Sequence, residues 1–275
     1  MPDLFCVLHK DLSYSSEKTA EFLAAERCVS RVEAAAAFKK SPGFLLENAE
    51  LGKSSAFNLR ASAFGLETIL VSQRDLKSPP PASVLSKIEF TTEGFNYFSN
   101  CAGDYVPFEA VKSVTACAFA AEMPSADEVD TLWPLQTDSP QTTGQDAGII
   151  HYLRARYFPF ALPFGGKYRQ PSETPRHSTP SGETVFRADI LTSGPGPLRL
   201  AINCDKHDYS GLGARKTLSS FENFRIVLDE LSSRASGAVR NPFLQALLGK
   251  KTLSGLKYPS AEAYEKELVW INTVR

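Results

Sequence analysis

Two cysteine–histidine pairs have the residue types and the spacing closest to those of a metal site. Cys6 lies three residues before His9, and Cys204 lies three residues before His207. Thiolates and imidazoles are zinc ligands, so the two pairs together would supply four of them. If Cys6 and His9 lie on one strand, however, they point to opposite faces, because they are three residues apart. The second pair is predicted at the end of a strand, where the geometry is freer. We interpret the thiols as buried in the core and the histidines as surface residues, and we predict no metal and no cofactor.

The remaining cysteines, Cys28, Cys101 and Cys117, are candidates for a nucleophile. A catalytic thiol needs a neighbouring base. No histidine or acidic residue lies at a spacing in the sequence that would mark it as the partner of one of these cysteines. The sequence also contains no Gly-x-Ser-x-Gly elbow and no His-Glu-x-x-His motif. We predict that no residue is catalytic and that the protein is not an enzyme. A cysteine-dependent enzyme is kept as the second alternative function.

A glycine-containing stretch that ends in Arg215, Lys216 and Thr217 precedes a predicted helix and suggests a phosphate loop. That motif requires glycine directly before the lysine, because backbone amides cradle the phosphates, and arginine occupies that place here. An anion held by Arg215 and Lys216 at the helix entrance is the prediction that remains, with a solvated loop as the simpler interpretation. A lipid- or phospholigand-binding barrel is accordingly the first alternative function.

Basic and aromatic side chains interleave in residues 151–169, directly after an acidic run, residues 122–149, that contains no lysine or arginine. Arginine with aromatic residues is the mixture found in interface hot spots. Stacking of single-stranded bases and contact with a membrane surface are alternatives, as is packing of the aromatic residues on the protein's own core. We predict a surface that binds a protein partner, and its candidate residues are Arg154, Arg156, Tyr157, Phe158, Phe160, Phe164 and Tyr168.

The composition narrows the kinds of partner and location. The net charge is −1, with 43% hydrophobic and 22% charged residues, so no global field favours nucleic acid and we expect none to be bound. No apolar run reaches the ~18 residues of a membrane span. The first ten residues lack the basic start and apolar core of a signal peptide. The five cysteines are irregularly spaced, which is typical of proteins in a reducing cytoplasm. We predict a cytoplasmic protein with no transmembrane segment; peripheral lipid contact and oligomeric state are left open.

The elements that position these residues begin with a module over residues 1–76. Apolar periodicity predicts a strand at Leu4–Leu8, three helices, and a closing strand at Glu67–Ser72. This order resembles the C-terminal domain of the bacterial ribosomal stalk protein and the Clp protease adaptor that shares its fold. The matching residues include Val7-Leu8-His9-Lys10, Lys39-Lys40-Ser41-Pro42-Gly43 and Glu67-Thr68-Ile69-Leu70-Val71.

The resemblance of this module implies that it binds other proteins, as its relatives do. Stalk-protein relatives recruit translation factors through a basic helix face. The corresponding helix here contains Glu17, Glu21 and Glu26, so factor binding is not expected.

Three consecutive prolines predict a stiff linker over residues 77–83 that leads into a second domain. Alternating apolar residues between Ile88 and Phe119 predict an antiparallel meander, and residues 184–204 predict a hairpin. Eight of the 18 prolines lie in residues 122–183, which predicts a long, partly irregular excursion. An amphipathic helix follows Ser219.

Strands followed by one closing helix resemble the pleckstrin-homology-like barrel. We predict this domain over residues 84–235, with a helical tail over residues 236–275 packed on the core. The tail is predicted to contain a short helix from Pro242 to Leu248 and a terminal helix with Tyr264, Leu268 and Ile271 on one apolar face. The predicted fold class is α+β: a small strand-helix-helix-helix-strand domain, then an antiparallel β-barrel or sheet with a C-terminal capping helix. Because no catalytic constellation is complete and the first module resembles protein-binding relatives, we predict a non-catalytic adaptor or scaffold.

Overall fold

The computed structural model describes residues 3–99, 103–120, 184–194 and 196–275 of the chain. Within these residues the protein is α+β, as predicted, with one three-stranded and one seven-stranded sheet. The excursion predicted over residues 122–183 lies outside the described residues. The described residues belong to one compact unit.

The small sheet is built by the N-terminal elements and has the strand order β2-β1-β3, with both pairings antiparallel. Three helices cover one of its faces. The prediction of strand, three helices and strand is wrong by one element, because an additional strand lies between the second and third helices. The elements in chain order are β1 (Leu4–His9), α1 (Ser16–Arg27), α2 (Arg31–Lys40), β2 (Phe44–Glu50), α3 (Leu51–Ala63) and β3 (Thr68–Ser72).

The additional strand β2 escapes a periodicity argument because its pattern is irregular. Only Phe44 and Leu45 of this strand are buried. Asn48 has a φ of 55°, and the register with β1 shifts at two places. Such irregularities interrupt the strict alternation of apolar and polar residues by which a strand is recognised in a sequence.

The large sheet has the strand order β10-β7-β8-β9-β4-β5-β6. The predicted hairpin β8-β9 is confirmed, and the predicted meander is confirmed for β4-β5-β6. The last strand of the predicted meander, β7, is wrong as a neighbour of β6, because it pairs with β8 and β10 instead. The strands of the large sheet are β4 (Ala82–Phe90), β5 (Gly94–Ser99), β6 (Gly103–Pro107), β7 (Val111–Ala120), β8 (Thr184–Thr192), β9 (Arg199–Asn203) and β10 (Val239–Arg240).

The prediction of an antiparallel sheet is wrong for two pairs of strands. Strand β4 pairs with β9 in parallel, and β7 pairs with β10 in parallel, so the sheet is mixed. Both pairs join strands that are far apart in the chain, and local alternation of residues carries no information about such partners. Strand β4 also begins at Ala82, inside the segment predicted as linker.

The helices of the C-terminal half agree with the predicted ones: α4 (Ser220–Arg234), α5 (Pro242–Leu248) and α6 (Ala261–Val274). The predicted tail is not wholly helical, because it also contributes β10 to the large sheet. The stripe of α4 that contains Phe224, Val227, Leu228 and Leu231 is buried against the large sheet, together with α5. No helix within the described ranges has both the length and the apolar character needed to cross a membrane.

Helix α6 lies between the two sheets. Its Trp270 and Ile271 pack against the small sheet, whereas Tyr264 and Leu268 pack against Cys117 of the large sheet. The predicted apolar face of this helix is therefore divided between two surfaces.

Close contact between α6 and the small sheet depends on Gly43. Its φ is 83°, and a Cβ there would lie 2.0 Å from Cδ2 of Trp270, so a side chain is excluded. The indole Nε1 of Trp270 donates a hydrogen bond to the His9 carbonyl oxygen at 2.7 Å. Lys266 of α6 adds an ion pair to Glu47 at 3.0 Å. The terminal helix thus joins the first 76 residues to the rest of the unit.

Candidate functional site

The residues predicted to contact a protein partner lie outside the described residues, so that prediction is not tested. They are Arg154, Arg156, Tyr157, Phe158, Phe160, Phe164 and Tyr168.

The structure places Arg215 and Lys216 shortly before α4. Nη1 of Arg215 donates a hydrogen bond to Oε2 of Glu230, which forms an ion pair. The Oγ of Ser219 accepts from the backbone N–H of Glu222 at 3.2 Å and so occupies a donor of the first turn. An anion bound by Arg215 would have to compete with this existing carboxylate.

Cys6 and His9 are separated as the strand argument predicts, but the prediction of surface histidines is wrong, because His9 and His207 are both buried. Cys6 packs on the α6 side of β1, whereas the ring of His9 stacks on Tyr14 on the other side, with ring centroids 4.5 Å apart. Among the described residues no group of three or more metal-ligating side chains occurs. Burial raises the pKa of Cys6, and it raises the pKa of Cys204 to about 11, so both thiols stay protonated at neutral pH. Cys28 is exposed.

The helix pair α1–α2 forms the first candidate binding surface, and local sequence signals fix its geometry. Helix α2 starts with a capping box in which Ser30 and Glu33 bond to each other's backbone N–H groups. Helix α1 ends at Cys28 in the left-handed conformation, which lets the N–H of Val29 reach the carbonyl oxygen of Ala24 at 3.1 Å. The two helices therefore meet at a short, well-defined turn.

The α1–α2 groove, lined by residues of both helices, has a volume of about 480 Å³. Ala20 of α1 and the pair Ala35 and Ala36 of α2 line it, and their small side chains leave a depression. Val32 lies on its border with 79% of its surface exposed. An apolar groove with an exposed β-branched residue is the type of surface that receives side chains of another protein.

Charged residues lie along the same groove. Arg31 and Lys39 are near the two ends of α2, about 12 Å apart by helical rise, and Glu17 lies on α1. None of these three side chains forms an ion pair with another residue in the described part of the chain. The groove is thus apolar in its middle and cationic at both ends of α2, with Glu17 as one acidic side chain on α1.

A second, smaller cavity of about 130 Å³ lies where α2, α5 and α6 meet; we call it the junction cavity. Aromatic rings form much of its wall. Tyr14 and Phe38 contact each other edge to face with centroids 5.4 Å apart, and Phe243 and Tyr258 are 6.4 Å apart. Phe38 lines both this cavity and the α1–α2 groove.

Glu267 of α6 is the buried acid of the junction cavity and is only 2% exposed. Its Oε2 accepts hydrogen bonds from the hydroxyl of Tyr258 at 2.5 Å and from Nδ2 of Asn241 at 2.9 Å. Burial raises the pKa of Glu267 to about 7, although both hydrogen bonds act in the opposite direction.

The sequence argument missed Glu267, yet the sequence contains a signal for it. The residue follows Tyr264 by three positions and directly precedes Leu268, so it falls within the predicted apolar stripe of α6. An acid within an apolar stripe is seldom fully buried without partners. That position could have marked Glu267 as unusual, but it could not have revealed the cavity.

We expect Glu267 to make the stability of the protein depend on pH. The unfolded chain ionises this group near pH 4.5, whereas the folded chain does so near pH 7, so the stability that it contributes falls as the pH rises through this window. The shift corresponds to roughly 3 kcal/mol. In urea denaturation, Glu267→Gln should therefore gain about this much stability relative to the wild type between pH 4.5 and about 8.

Neighbouring titratable groups should not obscure this effect. Burial raises the pKa of Tyr14, Tyr258 and Cys117, so all three stay neutral in this range. Burial lowers the pKa of His9 to about 4, which costs stability as the pH falls below its ordinary value, but equally in both proteins. Glu262→Gln, an exposed change on the same helix, is the matched control. The prediction would be contradicted if the free energy of unfolding had the same pH dependence in the wild type and in Glu267→Gln.

A buried ionic network joins α6 to the large sheet, away from the junction cavity. Oδ1 of the fully buried Asp189 accepts from Nε of Arg199 at 2.6 Å and from Nη2 of Arg187 at 2.8 Å. The other two nitrogens of Arg199 donate to the two carboxylate oxygens of Glu265 at 2.7 and 2.5 Å. This arrangement orients α6 on β8 and β9, so we assign it a structural role.

Comparison with known proteins adds no family to these observations: no family model, no curated protein and no solved structure matches the chain. The α1–α2 groove and the junction cavity are therefore interpreted from their own geometry and charge.

Proposed function

We propose that this chain is a non-catalytic adaptor or scaffold that binds another protein through the α1–α2 groove. The observation that carries the proposal is the exposed apolar surface at Val32, next to a depression lined by alanines. Exposing an apolar side chain on a rigid, well-capped helix pair costs free energy, and covering it with a partner recovers that free energy.

The charges of the groove specify the chemistry of the partner. Arg31 and Lys39 have no carboxylate ion-pair partner among the described residues, and each lies about one helical turn from the midpoint between them. The fitting segment is a short amphipathic helix with apolar side chains at its centre and acidic side chains on both flanks. Such a helix lies in a groove by repeating contacts at i, i+3 and i+4.

The experiment is a selection of phage-displayed peptides on the full chain, followed by affinity measurements with fluorescent peptides. We expect the enriched peptides to have acidic flanks. Val32→Asp should weaken their binding at least about tenfold, because it adds a repelling charge and removes an apolar contact. The matched control is Leu59→Asp, since Leu59 is 70% exposed on α3 of the same module.

Two outcomes would reject the groove as the binding surface. One is a selection that enriches no peptide. The other is an enriched peptide that binds Val32→Asp as tightly as it binds Leu59→Asp and the wild type. Both variants change an exposed side chain, so both are expected to fold.

The finer assignments of fold and location are proposals as well. A stalk- or Clp-adaptor-like module over residues 1–76 is supported by the three helices on one face of the small sheet. A pleckstrin-homology-like domain is supported by the amphipathic α4 that follows strand β9 and packs on the sheet. A cytoplasmic location is proposed from the unpaired cysteines among the described residues.

A further inference from the structure

The junction cavity contains a buried carboxyl group without a cationic partner. Both hydrogen bonds to Glu267 come from neutral donors, Tyr258 and Asn241, and they reach the same oxygen, Oε2. Among the described residues no lysine or arginine forms an ion pair with Glu267. Buried carboxylates are normally paired, so this group is suited to a cation that enters the cavity from solvent.

The walls of the cavity favour the same kind of ligand. Tyr14, Phe38, Phe243 and Tyr258 all line it. The faces of aromatic rings attract an ammonium group and also offer apolar contact to an aliphatic side chain. A cavity with these walls and an acid inside it therefore combines charge recognition with apolar packing.

The polar residues at the cavity include two cations that are exposed to solvent. Lys39 and Lys257 both line it, and both are exposed, so they belong to its open side. The ammonium of Lys257 is held by the hydroxyl of Thr184 at 3.1 Å. A simple amine would meet these like charges on entry, whereas a ligand that also carries a carboxylate would gain from them.

We propose that the junction cavity binds a free α-amino acid with an apolar side chain. The ammonium group of the ligand pairs with Glu267, its side chain contacts the aromatic rings, and its carboxylate lies near Lys39 and Lys257. The junction cavity shares Phe38 and Lys39 with the α1–α2 groove, but its ligand and its buried acid are different, so the proposal does not depend on peptide binding.

The size of the cavity fits a small ligand. Its volume is about 130 Å³. A closed cavity of about 150 Å³ in another protein holds a benzene molecule, and the junction cavity is open on one side, which leaves room for a carboxylate outside it. An amino acid with an aliphatic side chain of leucine size matches this space.

Isothermal titration calorimetry with three matched probes tests the proposal on the full chain. L-leucine has both charged groups, 3-methylbutylamine lacks the carboxylate, and 4-methylpentanoate lacks the amine. We expect L-leucine to bind at least about tenfold more tightly than either analogue, because each charged contact contributes separately. Binding near neutral pH should also release protons, since pairing with an ammonium lowers the pKa of Glu267.

Variants identify the groups that bind the ligand. Glu267→Gln should lose L-leucine binding, whereas the control Glu262→Gln should retain it. Lys39→Gln changes an exposed side chain. It should weaken the binding of L-leucine but leave the binding of 3-methylbutylamine unchanged. The proposal is overturned if 4-methylpentanoate binds as well as L-leucine, if Glu267→Gln binds L-leucine normally, or if no probe binds at millimolar concentration. None of these outcomes depends on peptide binding at Val32.

Discussion

Replacing Trp270 with alanine is expected to lower the free energy of unfolding by about 3–5 kcal/mol. The indole is fully buried between α6 and the small sheet, where it packs over Gly43 and contacts the ring of Tyr14 at a centroid distance of 5.5 Å. The variant loses this apolar burial, leaves a cavity, and leaves the carbonyl oxygen of His9 without its indole donor.

Urea denaturation followed by far-ultraviolet circular dichroism measures this loss. Trp270→Phe keeps an aromatic ring but removes the hydrogen bond to His9. Its loss of unfolding free energy should therefore be clearly smaller than that of Trp270→Ala. Val32→Ala is the exposed control and should stay close to the wild type. A Trp270→Ala protein within about 1 kcal/mol of the wild type would show that α6 does not hold the small sheet in place.

The second large effect is expected for Arg199→Leu, which should also lower the free energy of unfolding by about 3–5 kcal/mol. The guanidinium of Arg199 is almost fully buried and bridges Asp189 of β8 to Glu265 of α6. Its removal leaves the buried carboxylate of Asp189 with Arg187 as its one remaining guanidinium partner among the described residues. Glu265 is half exposed and can return to water, so most of the cost comes from Asp189.

An exposed ion pair supplies the control for Arg199. Arg74 pairs with Asp3 at 2.8 Å, and both side chains are more than half exposed. Arg74→Leu should therefore change the stability by no more than about 1 kcal/mol. If denaturation shows equal losses for Arg199→Leu and Arg74→Leu, the buried network does not contribute to holding α6.

Local sequence signals were sufficient wherever a structural element depends on its own residues. The hairpin of β8 and β9 follows from two alternating runs around a turn, and α4 follows from the spacing of its buried residues after the cap at Ser219. Helix α5 has the predicted limits because Asn241 caps it and proline occupies its first position. In each case the information lies within a few residues.

The same signals failed where a second part of the chain sets the conformation. Strand β2 depends on pairing with β1 across two register shifts, and the parallel pair β4–β9 joins segments more than a hundred residues apart. The candidate sites follow the same rule. The run of alanines in α2 is visible in the sequence, but its exposure in a groove depends on the position of α1.

The α+β class, the three-stranded meander β4-β5-β6, the hairpin and the three C-terminal helices follow from the sequence alone. The sequence also predicts that Cys6 and His9 point to opposite faces, because side chains alternate along any strand. Only the tertiary structure placed α6 between two sheets, buried Glu267 beside four aromatic rings, and joined Arg199 to Asp189 and Glu265. Periodicity in the sequence identifies which face of a helix or strand is apolar. The element that covers this face depends on the packing of the whole chain.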